Sequence, residues 1–209
     1  MRLRLRRRLP SDSRPTAASN AATALGLLLV GTGPLVNPSL GQQQAGVDAS
    51  AESTYAITPK RRALLNTIRF AEGTWKQGEA GYRTLYGGGR FNSLARHPEQ
   101  VVVKRYTSAA AGAYQFLPGT WREASNKLQL ESFEPRNQDQ AALYLIDRRG
   151  MLQHIDRKGL TREAMAVLAK EWASFPNQAG HSAYGQPVKK ARELESFYRG
   201  NLERLATQG

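Results

Sequence analysis

Glu72 is the residue of this chain best placed for acid–base chemistry. It closes the run Leu65-Asn66-Thr67-Ile68-Arg69-Phe70-Ala71-Glu72, with apolar Ile68 and Leu65 four and seven positions before it. That spacing predicts a helix carrying the carboxylate on its core-facing side. Gly73 follows at once as a helix stop, so Glu72 falls in the last turn. The apolar stripe, the flanking Phe70 and Trp75, and the negative end of the helix dipole all disfavour its ionised form. A carboxyl kept protonated near neutral pH is a general acid. The same spacing also suits a glutamate that meets the stripe by coincidence and reaches water at a frayed helix end. The pattern alone leaves both readings open.

Other chemistries find less support. There is no cysteine, hence no disulfide, thiolate metal site or cysteine nucleophile. His97, His154 and His181 show no metal-ligand spacing, and no metal or cofactor is expected. His181 and Ser182 are adjacent, so their side chains point apart, and no Gly-x-Ser-x-Gly surrounds them. Gly87-Gly88-Gly89 is followed by neither a Lys-Ser nor a Lys-Thr pair, against a phosphate loop. More informative is Tyr114-Gln115 after the small residues 108–113. An aromatic face and an amide at a close-approach backbone suit a sugar ring and its acetamido group. Tyr114 fits the core equally well, and for Phe116 and Trp172 the core is the expected place.

These residues need a scaffold of helices. Thr58-Pro59 reads as an N-cap with proline in the first turn of a helix reaching Glu72. Residues 82–91 read as a short hairpin with a glycine tip, and 101–106 as a strand. Helices are expected over 118–128, with Trp121 and Leu128 inward, and over 137–149, with Ala141, Leu145 and Tyr144 inward. A short helix over 151–157 ends at Gly159, and Thr161 caps another bearing Met165, Leu168 and Trp172 on one face. Pro187 starts the last helix, which packs through Leu194, Phe197, Leu202 and Leu205. Asp139, Asp147 and Asp156 sit among basic residues and are expected in surface pairs.

The charge is strongly basic, 30 Lys and Arg against 17 Asp and Glu. Residues 1–45 hold six arginines and one aspartate, so the remainder is cationic too, with a net charge of +8. Such a body is drawn to polyanions such as nucleic acid, anionic lipid or bacterial wall polymers. Its dispersed basic residues form no recognisable nucleic-acid motif, and nucleic acid is not the expected partner. Residues 1–45 run basic, apolar, then small, the layout of a secretory leader whose apolar run is too short to span a bilayer comfortably. Weak cleavage candidates lie at 39–41 and 43–45. Residues 46–57 read as a polar linker, and 58–209 as one folded domain, expected to be a monomer without stable membrane insertion.

Arg69 to Trp75, with Glu72-Gly73-Thr74, resembles the catalytic helix end of the phage lambda endolysin family of lysozyme-like peptidoglycan lytic transglycosylases. Further segments resemble the same family in the same order. They are Gly81-Tyr82 with Gly87-Gly88, Phe91 and His97-Pro98; Ala111-Gly112-Ala113-Tyr114-Gln115; and Trp172-Ala173-Ser174-Phe175-Pro176 with Tyr184-Gly185-Gln186. The resemblance implies a lysozyme-like α+β fold, predominantly helical, with a small β-hairpin lobe and an inter-lobe cleft. It implies Glu72 as the catalytic residue, and Tyr82, Tyr114, Gln115, Tyr184 and Gln186 on the substrate. The substrate implied is the glycan strand of peptidoglycan, and the leader, if a signal, implies a protein exported to the periplasm, the cell wall or the outside of the cell. One departure is Arg83, where the family has an aspartate after its Gly-Tyr pair. A two-carboxylate hydrolase needs a second acid facing Glu72, and Glu79 and Glu99 carry no mark that sets them apart from surface acids. A one-carboxylate mechanism fits better. A hydrolytic lysozyme and a non-catalytic cationic wall-binding module are the alternatives.

Overall fold

The first helix is the hub on which three other helices and the 3₁₀ segment after it pack. The computed structural model describes residues 55–182, 185 and 187–207. The leader, its cleavage candidates and the linker before residue 55 lie outside the described residues, as do Tyr184 and Gln186. Helix α1, Pro59–Ala71, starts as expected: Thr58 is extended and its Oγ1 accepts from the Arg61 amide. Seven consecutive residues, Ala63 to Arg69, are buried, because α1 touches α3 (Pro135–Arg148), α4 (Leu152–Lys158) and α6 (Ala191–Thr207) on different sides. The polar members of that run find partners inside. Thr67 donates to the Ala63 carbonyl at 2.7 Å, and Asn66 donates across to Asn201 of α6 at 3.2 Å.

Helices α2 (Pro118–Leu128), α3, α4 and α5 (Arg162–Leu168) fall where the apolar period and caps put them. Thr161 accepts from the Ala164 amide, and Met165 and Leu168 are fully buried. Trp121, Ala141, Leu145 and Trp172 are core residues, whereas Leu128 and Tyr144 are half-buried. Helix α6 begins at Ala191, four residues later than Pro187 suggests. The intervening stretch is tied to another part of the chain: the Lys189 amide donates to the Ser174 carbonyl at 3.0 Å. Tyr55, expected in the linker, lies against α3, where its amide and carbonyl both bond the Gln140 side chain.

The hairpin expected over 82–91 is largely absent. Tyr82 and Arg83 end a 3₁₀ segment, Trp75–Arg83, broken at Gly78, and a second 3₁₀ turn spans Tyr86–Gly88. Only Thr84 and Arg90 form an antiparallel bridge. The chain stays coiled because Gly81 passes under Thr74, where a Cβ would stand 2.5 Å from the Thr74 carbonyl. The two-stranded ladder is instead β1, Val102–Val103, against β2, Thr107–Ser108, in the register Val102 to Ser108 and Val103 to Thr107. The strand expected over 101–106 therefore turns back on itself halfway. The fold is predominantly helical with this one small sheet. Among the described residues, no helix is long and apolar enough to cross a membrane.

Candidate active site

Glu72 is fixed by the way α1 stops. The Gly73 amide bonds the Phe70 carbonyl and the Thr74 amide bonds the Arg69 carbonyl, with Gly73 at φ 77°. That is the paired C-terminal cap for which glycine in the left-handed region is the cheapest solution. Glu72 is its last right-handed residue and its own amide still bonds Ile68 at 2.9 Å. Ile68 and Leu65, on the same face one and two turns back, are fully buried. Glu72 is half-buried, and burial pushes its pKa up to about 7. A hydrogen bond from Ser174 opposes that rise: Ser174 Oγ donates to Glu72 Oε1 at 2.6 Å.

Phe70 stacks on Phe197 of α6 with ring centres 4.1 Å apart, and Trp75 meets the same ring edge-on. Trp75 also lies against the Arg69 guanidinium, which sits 4.6 Å from the Tyr82 ring centre and donates to the Gly78 carbonyl at 2.6 Å. Arg69 thus holds the 3₁₀ segment that follows Glu72.

The turn carrying Gln115 is held from several directions. Ala111 and Phe116 exchange both backbone hydrogen bonds, closing a tight turn over Gly112 to Gln115. Gln115 takes φ 49°, and its Nε2 donates to the Gly112 carbonyl at 2.9 Å and the Thr84 carbonyl at 3.2 Å. Thr74 Oγ1 donates to the Ala113 carbonyl at 2.6 Å, and Trp172 Nε1 to the Tyr114 carbonyl at 3.1 Å. Gln138 is fully buried: its Oε1 accepts from the Ala113 amide at 2.8 Å, and its Nε2 donates to the Tyr82 and Phe133 carbonyls. Gly112 makes room for this, since a Cβ there would stand 2.3 Å from Gln138 Oε1.

Asp139 is a buried anchor, correcting its expected place in a surface pair. Its Oδ1 accepts from the Tyr82 hydroxyl at 2.8 Å and the Tyr114 hydroxyl at 2.5 Å, and its Oδ2 from Arg62 at 2.7 Å. Burial, with Asp139 adding to it, pushes the Tyr82 phenol up to about 12 and the Tyr114 phenol well above its ordinary value. Tyr114 is fully buried and Tyr82 is 6% exposed, which leaves neither ring an open face for a sugar to stack on. Their work is to seat the turn beside them. Gln115 is half-buried next to them, and Tyr184 and Gln186 lie outside the described residues.

Three supporting residues escape the sequence reading. Ser174 lies inside the Trp172-Ala173-Ser174-Phe175-Pro176 run, a polar residue one position before fully buried Phe175, and that setting is the one available signal. Thr74 and Gln138 offer none, since their partners are 39 and 25 residues away. Of the other acids, Glu79 is exposed and Glu99 is exposed and paired with Arg122 at 3.2 Å. Arg83 donates to the Asn92 carbonyl.

A glutamate at a helix end with burial raising its pKa, joined through Thr74 to the turn that carries Gln115, is an arrangement that suits a lysozyme-like glycosidase. The endolysin family profile matches residues 62–205, and the chain belongs to the endolysin family. It is 35% identical over 144 residues to the endolysin of Escherichia phage lambda, covering 66% of this chain and 88% of that one. The endolysin of Escherichia phage P2 is also 35% identical, over 92 residues, 44% of this chain and 53% of the relative. Among solved structures, bacteriophage lambda lysozyme complexed with a chitohexasaccharide superposes with a TM-score of 0.64 at 33% identity, covering 70% of this chain and 96% of that one. A second lambda lysozyme structure gives a TM-score of 0.62 at 31% identity, with the same coverage. The fold is that of lambda lysozyme, and the chain is a peptidoglycan-cleaving enzyme of the lysozyme-like kind.

Proposed function

We propose that the chain is a lytic transglycosylase that cleaves the β-1,4 bond between N-acetylmuramic acid and N-acetylglucosamine with Glu72 as its single catalytic carboxyl. The observation that carries this is the setting of Glu72. Its carboxyl is bonded to the Ser174 hydroxyl, and of the nearest acids in sequence Glu79 is exposed and Glu99 is exposed and paired with Arg122. Glu72 gives its proton to the glycosidic oxygen as the bond from the muramyl C1 breaks. The muramyl C6 hydroxyl oxygen then bonds to C1, and its proton passes to the Glu72 carboxylate. Water is not consumed, and the enzyme returns to its starting protonation state. A pKa near 7 suits a group that must both give and take a proton at neutral pH. Gln115, the last residue of its braced turn, is assigned to the glycan, and so are Tyr184 and Gln186. The wall lies outside the cell membrane, and we assign delivery to the basic-then-apolar leader.

Mass spectrometry of products from purified peptidoglycan tests the reading. Anhydro-muramyl ends, lighter by one water than hydrolysed ends, are expected. Reducing muramic acid as the main product would replace the transglycosylase by a hydrolytic lysozyme. No cleavage would leave a wall-binding module.

A further inference from the structure

We propose that Ser174 is the positioning residue of Glu72: its hydroxyl holds the carboxylate that forms once the proton has left, and directs the other carboxyl oxygen at the substrate. The proposal rests on the function above for its substrate, and on geometry for the rest. Ser174 Oγ stands 2.6 Å from Glu72 Oε1, at the short end typical of a hydroxyl donating to an ionised acceptor. With Oε1 engaged as an acceptor, the exchangeable proton belongs on Oε2. One bond therefore selects which oxygen faces the glycosidic bond and which stays on the protein.

The serine is itself held in place. Two residues earlier, Trp172 Nε1 is fastened to the Tyr114 carbonyl, and one residue later Phe175 is fully buried. The Ser174 carbonyl accepts from the Lys189 amide at 3.0 Å. Two cations close by in the chain, Arg69 and Lys189, have other partners. Arg69 on α1 is spent on Gly78, Trp75 and Tyr82. Lys189 lies 4.7 Å from the Phe70 ring centre and pairs with Glu193 of α6. A carboxylate formed here in mid-reaction has the Ser174 hydroxyl as its stabilising partner, and that partner favours the charged form at the moment it appears.

The test compares Ser174→Ala, Ser174→Thr and Ser174→Cys with the wild type. Two readouts are used: the titration of Glu72 by carboxyl carbon NMR, and kcat and KM on peptidoglycan across pH. Ser174→Ala is expected to move the Glu72 titration, and with it the basic limb of the rate profile, upward by about one unit. It is also expected to lower kcat about 10- to 100-fold with KM little changed, the loss of one hydrogen bond to a charged group. Ser174→Thr restores both. Ser174→Cys, a weak donor of similar size, shifts the titration upward in part and carries the test if the alanine variant does not fold. An unmoved Glu72 titration in a folded Ala or Cys variant overturns the proposal. Should the wild type release reducing ends instead, the transglycosylase reading falls, yet the titration still decides whether Ser174 governs Glu72.

Discussion

Thr74 Oγ1 donates to the Ala113 carbonyl at 2.6 Å, tying the residue two places past Glu72 to the residue two places before Gln115. Thr74 is 1% exposed, so no water stands in for it. Thr74→Val keeps the shape and strands a buried carbonyl, which costs about 1–3 kcal/mol. A drop of several degrees in melting temperature is expected, together with lower turnover. Unchanged turnover would show that the cap and the turn need no coupling.

Glu72→Gln removes the proton that can be donated. General acid help is worth about 10²- to 10⁴-fold, and turnover is expected to fall by at least that much with the fold intact. Full activity in this variant would remove Glu72 from the chemistry.

The same variant changes how stability depends on pH. The folded pKa of Glu72 is raised to about 7, above its unfolded value. The folded protein therefore binds this proton more tightly than the unfolded chain. Stability is full below the unfolded value near 4.5, declines as pH rises through 7, and is then flat. The loss is of order 3 kcal/mol. Glu72→Gln removes it, so denaturant midpoints of the two proteins are expected to agree near pH 4 and to separate, variant higher, above pH 7.

Asp139→Ala leaves Arg62 and two buried phenols without their acceptor. Breaking such a set costs about 3–5 kcal/mol, and the variant is expected to be among the least stable single substitutions. Tyr114→Phe loses one donor and costs less. Urea titration that ranks them the other way would mean that Asp139 is dispensable to the turn.

Truncation separates the chain start from the fold. Removing residues 1–54 should leave folding intact. Removing 1–58 also deletes the Tyr55 pairs with Gln140 and the Thr58 cap, worth about 1 kcal/mol for the cap alone. Equal melting temperatures of the two truncated proteins would show that neither Tyr55 nor the Thr58 cap contributes.

What the sequence discloses is what short-range physics controls. Thr58-Pro59 and Glu72-Gly73 mark both ends of α1 because caps act within one turn. The apolar period over 118–128 marks α2 for the same reason. Residues 82–91 mislead because alternation and a triple glycine look like a hairpin, while the outcome depends on Gly81 passing beneath Thr74. Asp139 reads as a surface acid because its charged neighbours in sequence are visible and the Tyr82 and Tyr114 hydroxyls, 57 and 25 residues away, are not. Ser174 stands 102 residues from Glu72, beyond any local pattern.

The four-way grip on the Gly112–Gln115 turn also bears on how the molecule opens. The Ala113 amide is bonded to Gln138 Oε1 on the central helix α3, and the turn is fastened as well by Thr74, Trp172 and Asp139. Such a turn has no low-energy way to fray by itself, because releasing it means undocking chain segments from before and after it at once. Its amide protons should exchange with solvent only when the whole domain unfolds, as slowly as those at the centre of α1, although the segment is a loop by conformation. The turn that carries Gln115 therefore belongs to the same cooperative unit as the core.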